Sequence, residues 1–401
     1  MANPKLAMIP TGYKAGKLYS VLPESGVGDF TFDRNSLATR VNENGLIETM
    51  AIDVPRLDYT DGGCPSLLLE PERTNLVPYS EDFSQWSKQS GGTGSLPIIT
   101  SNDTISPDGT QNSDKVVFDK GTSSTVSDLS ILTTSFTSQS NTASIYIKAD
   151  SPQRIVIRNS STWVGYDIGT EWTRIEKTDT GGSFQIGLRD GYGVADVPST
   201  ATVYLWGAQL EEGSYATSYI PTNGTAVTRV GETCTDAGDA STFNDSEGVL
   251  MAEISALAND GTNRMISLTN GVSTDSSATL YFTPDANQIR YIYEVSGSQQ
   301  CSIVVNINVL LNNKFSIVYK LNRFELWGNG FKLGEDTNGT LNPQGTFTKL
   351  SFLRGASQLP FYGNTKQLQY FDSALTDEEL ETLTSWQSFS EMANGQNYTI
   401  I

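Results

Sequence analysis

Residues 203–229 constrain the fold more than any other part of the sequence. The segment 203–208 is apolar on both faces of an extended chain, a pattern that is typical of a strand covered on both sides. The acidic segment 211–213 then predicts a turn, and an aromatic arm follows at 215–221. We expect the closing strand of a β-sandwich, an arm that packs back on that sandwich, and a hinge to the next module.

The rest of the chain also predicts strands. Its 401 residues are enough for two or three domains. The 36 Gly, together with 16 Phe, 17 Tyr and 6 Trp, indicate many short strands joined by turns. The strands before residue 203 are closely spaced, with no helical period between them. We therefore predict an all-β protein with two antiparallel β-sandwiches, the first a jelly roll, behind an N-terminal β-rich segment.

The predicted division has four parts. Residues 1–76 hold few apolar residues for their length, so they lean on a neighbour or on another subunit. Residues 77–222 form the first sandwich, 223–245 a linker, and 246–401 the second sandwich with short C-terminal helices. Thr376 and Glu379 predict a capping box at the start of a helix, and residues 388–391 repeat that pattern.

Charge and composition exclude several functions. The net charge of −19 argues against nucleic acid or an anionic membrane as a partner, and no apolar stretch is long enough to insert in a bilayer. The absence of histidine removes the commonest general base and metal ligand. Three widely spaced cysteines suggest neither a disulfide framework nor a zinc site, and we expect reduced thiols, as in a protein that folds in a bacterial cytoplasm. No signal-peptide pattern is visible after Met1.

Catalysis has little support in the sequence. The acids 211–212 are assigned to the turn, and Glu378, Glu379 and Glu381 are explained by helix capping and by the helix dipole. A glycan-cleaving site needs two carboxyl groups that face each other across a cleft. The Glu-x-Asp-x-x-Glu strand motif of concanavalin-like glycanases is missing, as is the histidine expected of a lyase. We therefore predict that the protein is not an enzyme.

Two other kinds of site are candidates. Exposed aromatic rings stack on sugars, which makes the following residues candidates although large aromatics are often simply buried: Trp163, Tyr166, Trp172, Tyr192, Tyr291, Tyr293 and Trp327. Acidic loops at 236–239 and 259–261 could supply oxygen ligands to Ca²⁺, but each offers too few oxygens alone. Solvated acidic turns are the favoured interpretation, and no cofactor is predicted.

Residues 13–22 predict a strand that could pair with another chain. The candidate docking and oligomerisation residues lie in its first half: Tyr13, Lys14, Lys17, Leu18 and Tyr19.

Several segments resemble bacteriophage proteins. The hairpin at 328–330 and the stretch 366–380 are similar to the closing part of a concanavalin A-like (laminin-G-type) sandwich. Residues 203–229, with 75–86 before them, resemble the carbohydrate-binding-like jelly rolls of phage structural proteins. Residues 38–47, 55–59 and 65–71, with the ending 388–401, resemble phage head-fibre and tail-fibre proteins.

This resemblance implies a virion structural protein, often a homotrimer, that docks on capsid or tail proteins. Such a protein would project lectin-like modules toward host surface glycans. The resemblance carries over no catalytic residues. A cellular adhesin or glycan-binding module is the alternative, and a polysaccharide-degrading enzyme comes third.

Overall fold

The computed structural model describes residues 3–123, 125–159, 162–272, 274–355, 359–386, 391, 395 and 396, with the backbone alone at 137–139. The chain divides into two compact units. Unit 1 contains Met1–Leu37, Met50–Pro71 and Gly231–Ile401, and unit 2 contains Ala38–Thr49 and Glu72–Val230. These boundaries differ from the predicted ones, because most of the N-terminal segment belongs with the C-terminal half of the chain.

The elements are nearly all strands. The first part of the chain forms β1 (Leu6–Met8), β2 (Tyr13–Lys14), β3 (Lys17–Leu18), β4 (Phe30–Asp33), β5 (Ala38–Val41), β6 (Ile47–Met50), β7 (Arg56–Asp58), β8 (Ser66–Leu69) and β9 (Arg73–Asn75). The middle part forms the 3₁₀ turn η1 (Phe83–Gln85), β10 (Ser87–Gly91), β11 (Ser95–Thr104), β12 (Ser113–Asp119), β13 (Leu129–Lys148), β14 (Gln153–Asn159), β15 (Trp163–Ile168), β16 (Thr173–Arg189), β17 (Thr200–Glu212) and β18 (Val227–Arg229). The last part forms β19 (Thr233–Thr235), β20 (Glu247–Ala256), β21 (Arg264–Thr269), β22 (Ser277–Phe282), β23 (Gln288–Val295), β24 (Ser298–Asn306), β25 (Asn313–Lys320), β26 (Arg323–Gly328), β27 (Phe331–Asp336), β28 (Lys349–Ser351), β29 (Gly363–Phe371) and α1 (Asp377–Thr384).

Unit 1 is an antiparallel sandwich. One sheet has the order β27-β26-β25-β20-β29-β8-β7, and the other has the order β24-β23-β22-β21-β28. Alternate residues of β20, such as Leu250 and Ile254, share one core with Leu280 and Tyr291 of the second sheet. A smaller sheet, β19-β4-β3-β2, completes the unit. The all-β sandwich class expected from the sequence is confirmed.

The N-terminal strands belong to the main sheet of unit 1. Strand β1 pairs with one end of β29, where Leu6 lies opposite Tyr370, and β8 pairs with the other end, where Leu69 lies opposite Gly363. Leu6 and Leu69 are buried in the same core. The segment that is too thin to fold alone therefore leans on the C-terminal half of its own chain.

A buried ion network fastens these segments together. Glu232 accepts hydrogen bonds from Arg34 Nη1 at 2.8 Å, from Arg56 Nε at 2.9 Å, and from the Glu70 amide at 2.9 Å. Arg56 Nη2 also pairs with Glu232, and its Nη1 lies 2.7 Å from a Glu70 oxygen. Burial acts to lower the pKa of Arg56, but the two carboxylates outweigh it and raise that pKa above its ordinary value.

Unit 2 is built around one long strand. Strand β13 pairs with β16 along most of its length, with β10 at its first half and with β17 at its second half. The strands of this sheet enclose a core that includes Phe118, Ile145 and Phe184. The hairpin of β5 and β6 adds Ile47 to a smaller cluster on the outer side.

The apolar run of the sequence is a central strand of unit 2. Strand β17 lies between β12 and β13, so it does not close the sheet as predicted. Both of its faces are buried, because Val203 and Leu205 line the core while Trp206 lies under Tyr219, with 4.5 Å between the ring centroids. The arm does pack back on its own module, as expected, and the Ile220 amide donates to Gln209 Oε1 at 2.6 Å.

The acidic pair at the end of β17 is not a turn. Glu211 and Glu212 belong to the strand, and Glu211 is fully buried. Its carboxylate accepts hydrogen bonds from the Thr217 amide at 2.8 Å and from the Thr217 hydroxyl. Glu211 therefore holds the arm in place, which the turn interpretation missed.

Helix α1 confirms the predicted capping box. The Thr376 hydroxyl accepts from the Glu379 amide at 3.3 Å, and the Thr376 amide donates to the Glu379 carboxylate at 3.0 Å. Leu380 packs the helix on the outer face of the main sheet, against Val249 and Val318. Apart from Glu391, the second predicted helical turn at 388–391 lies outside the described residues, as does most of the 388–401 ending.

Candidate functional site

One cleft of unit 1 is a groove with a volume of about 1090 Å³. It lies beside the end of β20 and the start of β29. Its walls are part polar and part apolar and come from six stretches of sequence; the polar and aromatic residues are Asp61, Cys64, Glu253, Ser255, Asn312, Asn364, Lys366, Gln367, Trp386 and Glu391. We call this cleft the unit 1 groove.

Strand alternation places the acid of the groove. Leu250, Ala252 and Ile254 of β20 face the core, so Glu253 faces outward from the same sheet. Gln367 of β29 lies opposite Glu253 in the register. The pairing shifts immediately afterwards, because Ile254 pairs with Thr365. Lys366 is therefore the extra residue of a bulge, the kind of irregularity that re-aims side chains near binding sites.

Amide groups hold the carboxylate of Glu253. Asn312 Nδ2 donates to one oxygen at 2.6 Å, and Gln367 Nε2 donates to the other at 2.7 Å. Gln367 Oε1 in turn accepts from Gln369 Nε2 at 2.7 Å. Each donor fixes the next side chain, so the groove presents a preorganised row of amides and a carboxylate.

Several hydrogen-bond donors of the groove are uncommitted, which means that they have no acceptor or ion-pair partner in the described part of the protein. Among the described residues, the Lys366 ammonium has no ion-pair partner, and the indole Nε1 of Trp386 is buried without an acceptor. Asn364 uses its oxygen to accept from Ser66 Oγ at 3.2 Å, which leaves its NH₂ for a ligand. The Trp386 ring is held by the Lys314 ammonium, which lies 4.6 Å from the ring centroid.

The charges of the groove do not favour an anion. Lys314 pairs with Glu391 at 2.9 Å, so those two charges offset each other. Asp61 and Glu253 then outnumber Lys366. A ligand rich in hydroxyl groups fits this mixture best, because a hydroxyl donates to carboxylates and accepts from amides and ammonium groups.

A smaller cleft of about 490 Å³ lies in unit 2 and is lined by acceptors. Glu81 accepts from the Tyr219 hydroxyl at 2.7 Å and from Asn112 Nδ2 at 3.2 Å. Asp114 accepts from the Phe83 amide at 2.9 Å. Burial raises the pKa of both Glu81 and Asp114. These carboxylates are used mainly to hold neighbouring backbone and side chains.

The three unit 1 aromatics predicted to bind sugar are core residues, which corrects the prediction. Tyr291 and Tyr293 are fully buried, and the Tyr291 hydroxyl donates to the Val318 carbonyl at 3.1 Å. Trp327 is buried beside α1, and its Nε1 donates to Glu325 at 2.9 Å. None of the three offers a ring face to a ligand.

The four unit 2 candidates are not all brought together. Tyr166 packs against the core with its hydroxyl on the Glu176 carbonyl at 2.7 Å, and half-buried Trp172 donates to the Ile105 carbonyl at 3.0 Å. Trp163 is buried too. Tyr192 is 59% exposed, and the Arg189 guanidinium lies between its ring and that of Trp163.

The five docking candidates also differ in their exposure. Leu18 is fully buried in the core of unit 1, which removes it as a docking residue. Lys17 lies 3.4 Å from Asp29 and is half-buried. Lys14 is exposed and Tyr19 is 37% exposed, while Tyr13 packs partly on the core. Strand β2, which contains Tyr13 and Lys14, is at the edge of its sheet.

The candidate calcium loops use their acids locally. Asp239 accepts from Ser241 and Thr242, and Asp236 pairs with Lys349 at 2.7 Å. Asp260 pairs with Arg264 at 2.8 Å. In the part of the chain that the structure describes, no group of three or more acidic or cysteine side chains is placed to hold a metal ion. No helix among those residues is long and apolar enough to cross a bilayer.

Comparison with known proteins yields structural neighbours only. No family model and no curated protein sequence matches the chain. The CBM40 module of a Ruminococcus gnavus IT-sialidase bound to α2,3-sialyllactose has 17% identity and a TM-score of 0.32, covering 36% of this chain and 86% of that one.

Two other solved structures give similar values. A heptameric SAP-like pentraxin from Limulus polyphemus has 16% identity and a TM-score of 0.31, covering 36% and 72%. Domain 4 of AbnA, a GH43 arabinanase from Geobacillus stearothermophilus in complex with arabinotriose, has 12% identity and a TM-score of 0.31, covering 43% and 84%. TM-scores this low do not indicate a function for this chain. The candidate site is therefore assigned from its own residues.

The groove residues could not be singled out from composition. Glu253 does leave one signal, because it interrupts the apolar run of 249–254 at an outward position. Asn312, Asn364 and Trp386 leave none, since only the pairing of distant strands brings them to the same edge.

Proposed function

We propose that the protein is a glycan-binding virion structural protein of the head-fibre or tail-fibre type, and that the unit 1 groove binds a neutral oligosaccharide. The observation that carries the binding proposal is the row of amides, carboxylate and uncommitted donors beside Glu253. Sugar hydroxyls need both donors and acceptors at fixed positions, and this row supplies them.

The chemistry divides among the groove residues. The uncommitted donors of Lys366 and Asn364 would bind sugar oxygens, and Trp386 would give the wall an apolar surface against a pyranose. Each hydrogen bond contributes about 1 kcal/mol, and one from a charged donor about 1.5–3 kcal/mol. Removing both donors should therefore weaken binding by at least about tenfold, the equivalent of about 1.4 kcal/mol.

A binding measurement tests this proposal. The purified chain is screened on an array of neutral and acidic glycans, and the best neutral ligand is titrated calorimetrically. The double variant Lys366→Ala with Asn364→Ala should raise Kd at least about tenfold. Lys320→Ala, an exposed position on the same sheet, is the matched control and should leave Kd unchanged. An array without a neutral ligand, or an unchanged Kd in the double variant, would contradict the proposal.

The virion role rests on the resemblance of residues 38–47, 55–59 and 65–71 to phage fibre proteins. We place docking on the exposed edge formed by β2, with Lys14 and Tyr19 as contact residues. Truncation of residues 1–76 cannot test docking, because β1, β7 and β8 belong to the main sheet of unit 1. The double variant Lys14→Glu with Tyr19→Ala should instead fold normally and fail to incorporate into particles. Normal incorporation would refute this docking surface.

The remaining parts of the proposal are a homotrimeric assembly and the absence of catalysis. Light scattering on the purified chain should give three times the mass of the monomer. Incubation with the array ligands should release no new reducing ends or unsaturated sugars.

A further inference from the structure

We propose that unit 2 carries a second carbohydrate site, selective for oligosaccharides with a carboxylate group, on the outer face of β14, β15 and β16. Its residues are Arg154, Arg158, Trp163, Arg189 and Tyr192, which we call the arginine–aromatic face. This site rests on its own residues and not on the unit 1 groove.

Strand alternation builds this face. Ile155 and Ile157 of β14 line the core, so Arg154 and Arg158 face outward. In the register, Arg158 lies opposite Trp163 of β15. Both arginines therefore point to the same side of the sheet, away from the core of unit 2.

Arg189 occupies the centre of the face. Its guanidinium carbon lies 5.8 Å from the ring centroid of Trp163 and 4.6 Å from that of Tyr192. The Arg158 guanidinium lies 5.9 Å from the same Trp163 ring. Two cations thus share one indole, an arrangement that concentrates positive charge at short range.

The donors of Arg189 are only partly used. Its Nη2 donates to the Tyr192 hydroxyl at 3.1 Å and to the Val126 carbonyl at 3.4 Å. Among the described residues it has no carboxylate partner, its Nε is buried without an acceptor, and its Nη1 makes no hydrogen bond. A guanidinium has five N–H groups, so Arg189 retains donors that a ligand carboxylate would fill.

The local charge differs from that of the chain as a whole. Arg154 pairs with Asp167 at 2.6 Å, and that carboxylate is 81% exposed. Asp190, next to Arg189, is already paired with Lys120 at 2.5 Å. Three arginines stand together on this face, on a chain whose net charge is −19.

Tyr192 supplies a surface for the sugar ring. Its φ of +56° lies in the left-handed region, between Gly191 at +85° and Gly193 at +81°. A bulky residue in that region is strained, and such strain is held where a side chain must be presented in one orientation. One face of the ring covers Arg189, and the exposed remainder can stack on a pyranose whose carboxylate reaches the guanidinium.

The test compares two oligosaccharides on the full chain. A hyaluronan hexasaccharide supplies carboxylates, and chitohexaose is a neutral counterpart. Arg189→Gln and, separately, Tyr192→Ala should each weaken hyaluronan binding at least about tenfold and leave chitohexaose binding unchanged. Arg290→Gln is the matched control, because Arg290 also stacks on a tyrosine, 5.9 Å from the Tyr281 ring, on a sheet of unit 1.

The outcomes separate this site from the groove. The groove variant Lys366→Ala should leave hyaluronan binding unchanged even if it abolishes binding of the neutral sugar. Failure of the wild-type chain to bind hyaluronan would overturn the proposal, as would full hyaluronan affinity in both unit 2 variants. An equal loss of hyaluronan and chitohexaose affinity would also overturn it, because it would show that the carboxylate is not recognised.

Discussion

The buried ion network of unit 1 makes Glu232→Gln the most informative substitution for the fold. Glu232 and Glu70 balance Arg34 and Arg56, and the four side chains are almost completely buried. Glutamine keeps the size of the side chain but leaves two guanidinium groups facing one carboxylate. The NH₂ group of the glutamine would also face N–H donors that the Glu232 carboxylate accepts from.

The loss in free energy of unfolding follows from the burial of these charges. Breaking a buried ion pair by removing one partner destabilises a protein by about 3–5 kcal/mol, because an uncompensated charge remains in the interior. Hydrogen bonds from Arg34, Arg56 and the Glu70 amide converge on Glu232, but their losses are not additive, so we expect the free energy of unfolding to decrease by an amount in that same range. The segments containing Arg34 and Arg56 should lose protection together with the strands that follow residue 231.

Hydrogen exchange measured by mass spectrometry reports the loss of protection in each unit separately. In the variant, peptides of β7, β8 and β29 should exchange with an opening free energy about 3–5 kcal/mol lower, and peptides of β17 should not change. Glu247→Gln is the control, since its partner Lys320 is exposed and such pairs contribute about 0–1 kcal/mol. A loss of less than about 1 kcal/mol for Glu232→Gln would refute the argument.

Three further predictions concern single side chains. Tyr219→Phe removes the hydroxyl that donates to Glu81 and should cost unit 2 about 1.5 kcal/mol in chemical denaturation; no change would mean that the bond contributes nothing. Thr376→Ala removes the cap that pairs with Glu379 and should destabilise α1 by about 1 kcal/mol, visible as faster exchange of its amides. Burial acts to raise the pKa of Glu325, but hydrogen bonds from two cations and an indole outweigh it and lower that pKa. Its stabilising contribution should be complete above the unfolded pKa of about 4.3 and disappear as pH falls through the lowered value, so Glu325→Gln should flatten the acid limb of a stability-against-pH curve.

Local features of the sequence predicted local structure well. The two-sided apolar run at 203–208 became a strand buried on both faces, and the Thr376 capping box begins a helix. Both signals depend only on neighbouring residues. The position of β17 in its sheet depends on β12 and β13, which lie far away in sequence, so the prediction of a closing strand was wrong.

The domain boundaries depended on long-range pairing in the same way. Strands β1 and β8 are three and four residues long and pair with β29, roughly 360 and 300 positions later. Such short strands have no pattern that identifies a partner. The low apolar content of residues 1–76 correctly indicated that they need another surface, but not which one.

The binding residues show where aromatic content misleads. Tyr291 and Tyr293 alternate with Arg290 and Ile292 on β23, so the period of two already placed the tyrosines on one face with buried Ile289. The structure makes that face the core. The groove, by contrast, is assembled from residues of six separate stretches, and no local pattern marks its amides and its lysine.

A crystal structure of the full chain with the neutral oligosaccharide that binds most tightly on the array would test directly whether the unit 1 groove binds sugar. We expect sugar density in the unit 1 groove, with oxygens of the sugar within hydrogen-bond distance of Lys366 and Asn364. Ordered sugar bound elsewhere, with the groove holding only water, would contradict it.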